Sequence, residues 1–121
     1  LQSITPPPPR VQKLLDYISQ NLKEDLSVTV LAERAFLSPR QLSREFSAHT
    51  GLSPARAVEN MRLEFARSRI ENTNQSLSFI ARESGFSDTA VMRKAFRRSL
   101  NTSPGELRRT GAAKIKHPDD I

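Results

Sequence analysis

Arg40, Ser43 and Arg44 sit in the stretch "SPRQLSREF" (38–46), with Ser47 next to it. At 3.6 residues per turn they share one helical face, with Gln41 on its shoulder and Leu42 and Phe46 behind. A guanidinium is a planar fork of N–H donors, able to grip a phosphate or the O6/N7 edge of a guanine. Further along, "FSDTAVMRKAF" (86–96) repeats the plan. Its front carries Thr89, Ala90, Val91, Arg93 and Lys94, with Arg97 and Arg98 a turn further on, and Met92 and Phe96 lie behind. Ala90 and Val91 offer no side-chain hydrogen bond, but they can pack on a thymine methyl group. The chemistry on offer is hydrogen bonding and apolar contact to base edges, with cations beside them for phosphates.

Other chemistries find little here. The chain has no cysteine, which removes disulfides and thiolate metal sites, and its two histidines, His49 and His117, have no ligand-spaced partner. No Ser/His/Asp arrangement, glycine-rich phosphate cradle or pocketed carboxylate pair is recognisable. We therefore expect no catalytic residues, no metal, no cofactor and no enzyme. The formal charge is +6, and residues 61–110 carry ten Lys/Arg against five Asp/Glu, whereas 1–27 and 111–121 each balance to zero. A localised basic surface suits a polyanionic partner.

The elements that must position these faces follow from apolar spacing. Val11, Leu14, Leu15, Ile18 and Leu22 form one helical stripe. Ser27 is placed to cap a helix over 27–35, and Ser38-Pro39 to begin another that Gly51 ends. Ser53-Pro54 opens a longer helix to about Glu71, with Val58, Met61, Leu63, Phe65, Ala66 and Ile70 as its buried positions. Helices are predicted again at about 77–84 and 88–99, and after Ser103-Pro104. The expected fold is all-α, with about seven helices.

The two halves repeat. Leu31-Ala32 matches Ile80-Ala81, and Leu37-Ser38 matches Phe86-Ser87, at an offset of 49; Leu42, Phe46 and Ser53-Pro54 match Met92, Phe96 and Ser103-Pro104 at an offset of 50. Each unit is a short helix, a tight turn and a second helix: the helix-turn-helix plan. Ala32 and Ala81 are small where two helices cross, and Gly85 supplies a turn that needs positive φ. A spacer helix of about 18 residues spans about 27 Å. Successive major-groove segments on one face of DNA lie about 34 Å apart, so such a spacer suits helices in neighbouring segments of one groove.

Over about residues 11–110 the sequence resembles the DNA-binding domain of the AraC/XylS transcription regulators. The stretches "LAERAFLSPRQLSREF", "MRLEFAR", "IARESGF", "RKAFRR" and "SPGELRR" carry the match. The wording of "SPRQLSREF" and "RKAFRR" is most similar to the subgroup with an N-terminal PfpI/amidotransferase-like domain. The resemblance implies a homeodomain-like pair of helix-turn-helix subdomains joined by a long linker helix. It places a Pro-rich interdomain linker at 1–9, the double DNA-binding domain at 10–110 and a disordered tail at 111–121. The first unit covers about 10–52, the linker helix about 54–71 and the second unit about 76–110. Its recognition helices, about 39–49 and 88–99, enter adjacent major-groove segments of double-stranded operator DNA.

The base-reading set is then Arg40, Gln41, Ser43, Arg44, Thr89, Ala90, Val91, Arg93 and Lys94. The phosphate-contacting set is Ser38, Ser47, Ser87, Arg97, Arg98 and Ser103. RNA polymerase is an expected partner, dimerisation is expected through an N-terminal domain outside this fragment, and the location is cytoplasmic and nucleoid-associated, with no membrane association. Some positions depart from the family pattern: Phe36 stands where the first turn often has Gly, and Asn101 replaces another Gly. Phe46, Phe65, Phe79, Phe86 and Phe96 are expected in the core, and Arg62 and Arg82 in structural salt bridges. The competing class is a helical protein-interaction module without DNA readout, which salt dependence of binding would separate.

Overall fold

A computed structural model describes residues 9–116, with side chains to Thr110. Among the described residues it holds seven α-helices and no strand. They are α1 (Pro9–Gln20), α2 (Val28–Ala35), α3 (Pro39–Thr50), α4 (Pro54–Asn72), α5 (Leu77–Ser84), α6 (Thr89–Leu100) and α7 (Pro104–Lys116). The chain divides within α4 into two compact units, between Met61 and Arg62.

In the first unit α1, α2 and α3 pack against one another. Val11, Leu14 and Ile18 of α1, Leu31 and Ala32 of α2, and Leu42 and Phe46 of α3 are buried. Ala57 and Val58 at the start of α4 are buried too. An eight-residue helix such as α2 would not persist alone in water, so its stability is tertiary. Each fully buried Leu, Ile or Phe supplies about 1.5–3 kcal/mol towards it. The predicted α1 stripe ran to Leu22, but the helix ends at Gln20. Asn21 turns back onto the Ile18 carbonyl instead, and Leu22 reaches the core from that turn.

The second unit is built the same way. Leu63, Ala66 and Ile70 of α4 join Ile80 and Ala81 of α5, Phe86 of the turn, and Met92, Ala95 and Phe96 of α6 in one apolar cluster. Leu77, Leu100 and Leu107 pack at its edge. Met61 and Phe65, expected inside, are half-buried. Phe79 is 37 % exposed and is not a core residue. The inner stripe of α5 is taken by Leu77, Ile80, Ala81 and Ser84, which puts position 79 on the opposite face. Arg82 lies with its guanidinium 5.9 Å above the Phe79 ring. Its Nη1 donates to Ser78 Oγ at 3.2 Å, a stacked arrangement in place of the expected salt bridge.

The ends of the chain also differ from expectation. Pro9 is the first residue of α1 rather than the last of a linker; proline is well suited to an N-terminal helical turn. Residues 1–8 of the expected linker lie outside the described residues. α7 continues to Lys116, past the point where a disordered tail was expected. Ala112 and Ala113 have the strongest helix propensity of any residue type, and residues 117–121 lie outside the described residues.

Candidate nucleic-acid interface

Both turns have one backbone design. In the first unit the Phe36 N–H reaches Ala32 O and Glu33 O, and in the second the Gly85 N–H reaches Ala81 O and Arg82 O. The following residue then bonds back, Leu37 N to Ala32 O and Phe86 N to Ala81 O, each at 2.9 Å. Phe36 and Gly85 are both left-handed, at φ 59° and φ 96°. A second pair of left-handed residues closes the second helices, Gly51 at φ 76° and Asn101 at φ 55°. These carbonyl-satisfying ends set where each helix stops and where the next departs.

The N-termini of α3 and α6 differ. Ser38 caps α3 in a reciprocal box: its Oγ accepts from Gln41 N at 3.1 Å, while Gln41 Oε1 accepts from Ser38 N at 3.1 Å. In α6 the cap is Asp88, whose carboxylate accepts from Val91 N at 2.8 Å. Ser87, the sequence match of Ser38, therefore lies one residue before the cap. This is where the second unit absorbs its extra residue. Asp88 was not among the expected functional residues; an aspartate directly before the helical run was the available signal.

With Leu42 and Phe46 fully buried behind α3, Arg40 and Arg44 stand exposed at the centre of its outer face. Gln41 and Ser47 are exposed and Ser43 is half-buried. Gln41 spends its carbonyl oxygen on the cap, leaving Nε2 as its donor. Ser47 Oγ donates to Leu52 O at 3.3 Å, within the turn after the helix. Behind this face the Arg10 guanidinium grips Glu45, Nε to Oε1 at 2.8 Å and Nη2 to Oε2 at 2.6 Å. That hydrogen-bonded pairing holds the Glu45 carboxyl below the usual glutamate range. It also covers the one acidic side chain of α3, leaving the arginine face cationic.

On α6, Met92, Ala95 and Phe96 face inwards. Ala90, Lys94 and Arg97 then fall at the centre of the outer face, with Arg93 to one side and Val91 and Arg98 to the other. All six are exposed, and Val91, at 43 %, is one of the few large apolar side chains left in water. Thr89 is half-buried at the edge. Ser38 and Ser87 are exposed, whereas Ser103 is half-buried and boxed with Glu106 at the start of α7. The Ser103 and Thr102 bonds hold Glu106 below the usual glutamate range, and its charge opposes a phosphate there.

One cation of the basic segment is structural. Arg108 donates to Gln75 O at 2.6 Å, to Thr73 O at 3.1 Å and, through Nε, to Ile70 O at 3.4 Å. It thereby fastens α7 to the carbonyl-rich end of α4 and the segment after it. Composition counted Arg108 with the basic surplus, and no local pattern marked it. Among the described residues no group of His, Asp or Glu is arranged to hold a metal ion. Likewise, no described helix is long and apolar enough to cross a membrane.

Comparison with known proteins places this geometry. A sequence family described as a helix-turn-helix domain matches residues 31–110. The HTH-type transcriptional activator RhaS of Pectobacterium carotovorum is 36 % identical over 98 residues, covering 81 % of this chain and 35 % of that protein. The HTH-type transcriptional regulator Rv1931c of Mycobacterium tuberculosis is 40 % identical over 82 residues, covering 68 % and 32 %. The chain thus spans about a third of the length of the curated relatives it matches. Among solved structures, the DNA-binding domain of AdpA in complex with a target DNA aligns at TM-score 0.82 and 28 % identity, covering 87 % of this chain and 95 % of that one. An AraC-type regulator from Chromobacterium violaceum aligns at 0.78 and 29 %, covering 86 % and 93 %. The chain belongs to the helix-turn-helix domain family, as an AraC-type DNA-binding domain.

Proposed function

We propose that this chain is the sequence-specific, double-stranded DNA-reading part of a bacterial-type transcription regulator. The observation that carries the reading is the repeated geometry of α3 and α6. Each is anchored from behind by two fully buried side chains, Leu42 and Phe46 or Met92 and Phe96, and each turns exposed cations outwards. An α-helix of this kind fits the major groove, and two of them can read two blocks of base pairs in adjacent groove segments. The AdpA domain, solved with a target DNA, supports this.

Base edges are read by Arg40, Gln41 through its amide N–H, Ser43 and Arg44 on α3. On α6 they are read by Thr89, Ala90, Val91, Arg93 and Lys94. Arg97 and Arg98 neutralise phosphates, with Ser38, Ser47 and Ser87 as neutral donors. Ser103 contributes least, since Glu106 holds its hydroxyl. In the full protein we place a sensor domain of the PfpI/amidotransferase type ahead of residue 10, joined by the Pro-rich segment. Dimerisation through that domain, contact with RNA polymerase and residence at the nucleoid complete the proposal. Selection of bound duplexes from a random pool tests the DNA reading. The expected result is two preferred blocks at a fixed spacing; a pool that stays random after repeated rounds contradicts it.

A further inference from the structure

Phe36 occupies a left-handed backbone position, φ 59° and ψ 40°, and its side chain is 95 % exposed. Its counterpart in the second unit, with the same hydrogen bonds, is Gly85. Glycine enters this conformation without penalty, whereas an ordinary L-residue does not. Burial does not compensate, because almost none of the Phe36 ring is covered. The turn's hydrogen bonds account for the left-handed backbone, but not for a large aromatic ring held there in water where glycine would serve. Beside the ring opens a cleft of about 300 Å³ lined by Arg10, Lys13, Leu14, Tyr17, Arg34 and Ala35. Arg34 lies with its guanidinium 3.8 Å above the Tyr17 ring. The lining therefore joins three cations, two aromatic rings and no carboxylate, although Glu45 already engages Arg10.

We propose that Phe36 and this cleft form a docking site for an acidic peptide segment of a partner protein, one carrying an apolar anchor residue. The anchor packs on the exposed Phe36 ring at the mouth of the cleft. The acidic side chains meet Lys13 and Arg34, whose guanidinium the stacking on Tyr17 already orients. This site uses none of the residues assigned to base or phosphate contact. Peptide and DNA should therefore bind together rather than compete.

The chain contains no tryptophan, so a Phe36→Trp variant carries a single fluorescent reporter at the site. The probe is a 12-residue peptide of Asp and Glu around a central Leu-Phe pair, titrated into the free variant and into the variant saturated with a selected duplex. The expected result is a saturable blue shift of the tryptophan emission in both, absent with a peptide in which Lys replaces the acids. Phe36→Gly should weaken peptide binding, followed by anisotropy of labelled peptide, by about tenfold or more, with duplex affinity unchanged and a higher thermal unfolding midpoint. Lys13→Glu with Arg34→Glu should abolish peptide binding. Unchanged tryptophan emission at high peptide, peptide that displaces duplex, or a Phe36→Gly variant that binds peptide as well as the parent would each overturn the proposal. Weaker duplex binding by Phe36→Gly would overturn it in favour of a DNA contact.

Discussion

Replacing Arg108 by Ala should destabilise the second unit while sparing its DNA chemistry. The side chain is half-buried and donates to three main-chain carbonyls, at 2.6, 3.1 and 3.4 Å. A hydrogen bond from a charged donor contributes about 1.5–3 kcal/mol, and the longest of the three much less. Water can reach part of the vacated site, so the three do not sum fully. We expect a loss of about 2–4 kcal/mol, a large share of the roughly 5–15 kcal/mol that holds a small domain together. Urea unfolding followed by far-UV circular dichroism reads this directly, as a lower midpoint at unchanged slope. Arg108→Lys should recover only part of the loss, because a point-like ammonium cannot span three carbonyls. The neighbouring Arg109 is exposed, and its removal should stay within about 0.5 kcal/mol. If Arg108→Ala unfolds like the parent but binds every duplex more weakly, Arg108 is a phosphate clamp and the assignment fails.

Acid should erode stability through Glu45 and Glu106, both held below the ordinary glutamate range in the folded chain by Arg10 and by Ser103 and Thr102 respectively. Their folded state binds protons less readily than the unfolded one, so their contribution is complete above the ordinary glutamate pKa and disappears as pH falls through the lowered values. The urea midpoint should drop over that acid range, and a Glu45→Gln, Glu106→Gln double variant should flatten the drop; an equally steep fall in the variant would point to other groups. Substituting deoxyuridine for thymine in the block read by α6 removes only methyl groups, and losing one contact with Val91 should cost about 0.8 kcal/mol, about fourfold in affinity. Val91→Ala protein should feel that substitution less, and equal sensitivity in the two proteins would remove Val91 from the contact. Arg97→Ala should weaken selected and unrelated duplexes alike and reduce the salt slope by about 1; a sequence-selective loss would make it a base reader.

Much of the fold was legible because its signals are local. Ser27, Ser38, Ser53 and Ser103 announce helix starts by their own chemistry, and the paired anchors Leu42/Phe46 and Met92/Phe96 fix which faces turn outwards. The repeat made each half a check on the other. What escaped was long-range or geometric. Nothing near Arg108 in sequence says that its partners are carbonyls at 70, 73 and 75, and Arg10 gives no hint of Glu45. Phe79 reads as core by type, yet its angular position on a two-turn helix decides otherwise. Phe36 reads as an oddity in a turn that wants glycine; that the chain keeps the glycine geometry, and leaves the ring in water, follows only from the structure.

Arg44 stands exposed on the outer face of α3 and is expected to read a base; the decisive measurement is the affinity of the Arg44→Ala variant across a panel of single-base duplex variants. The expected outcome is a loss of about 1–3 kcal/mol on the preferred duplex with discrimination relaxed at one base pair and retained elsewhere. An equal loss on every duplex, or none on any, would contradict it.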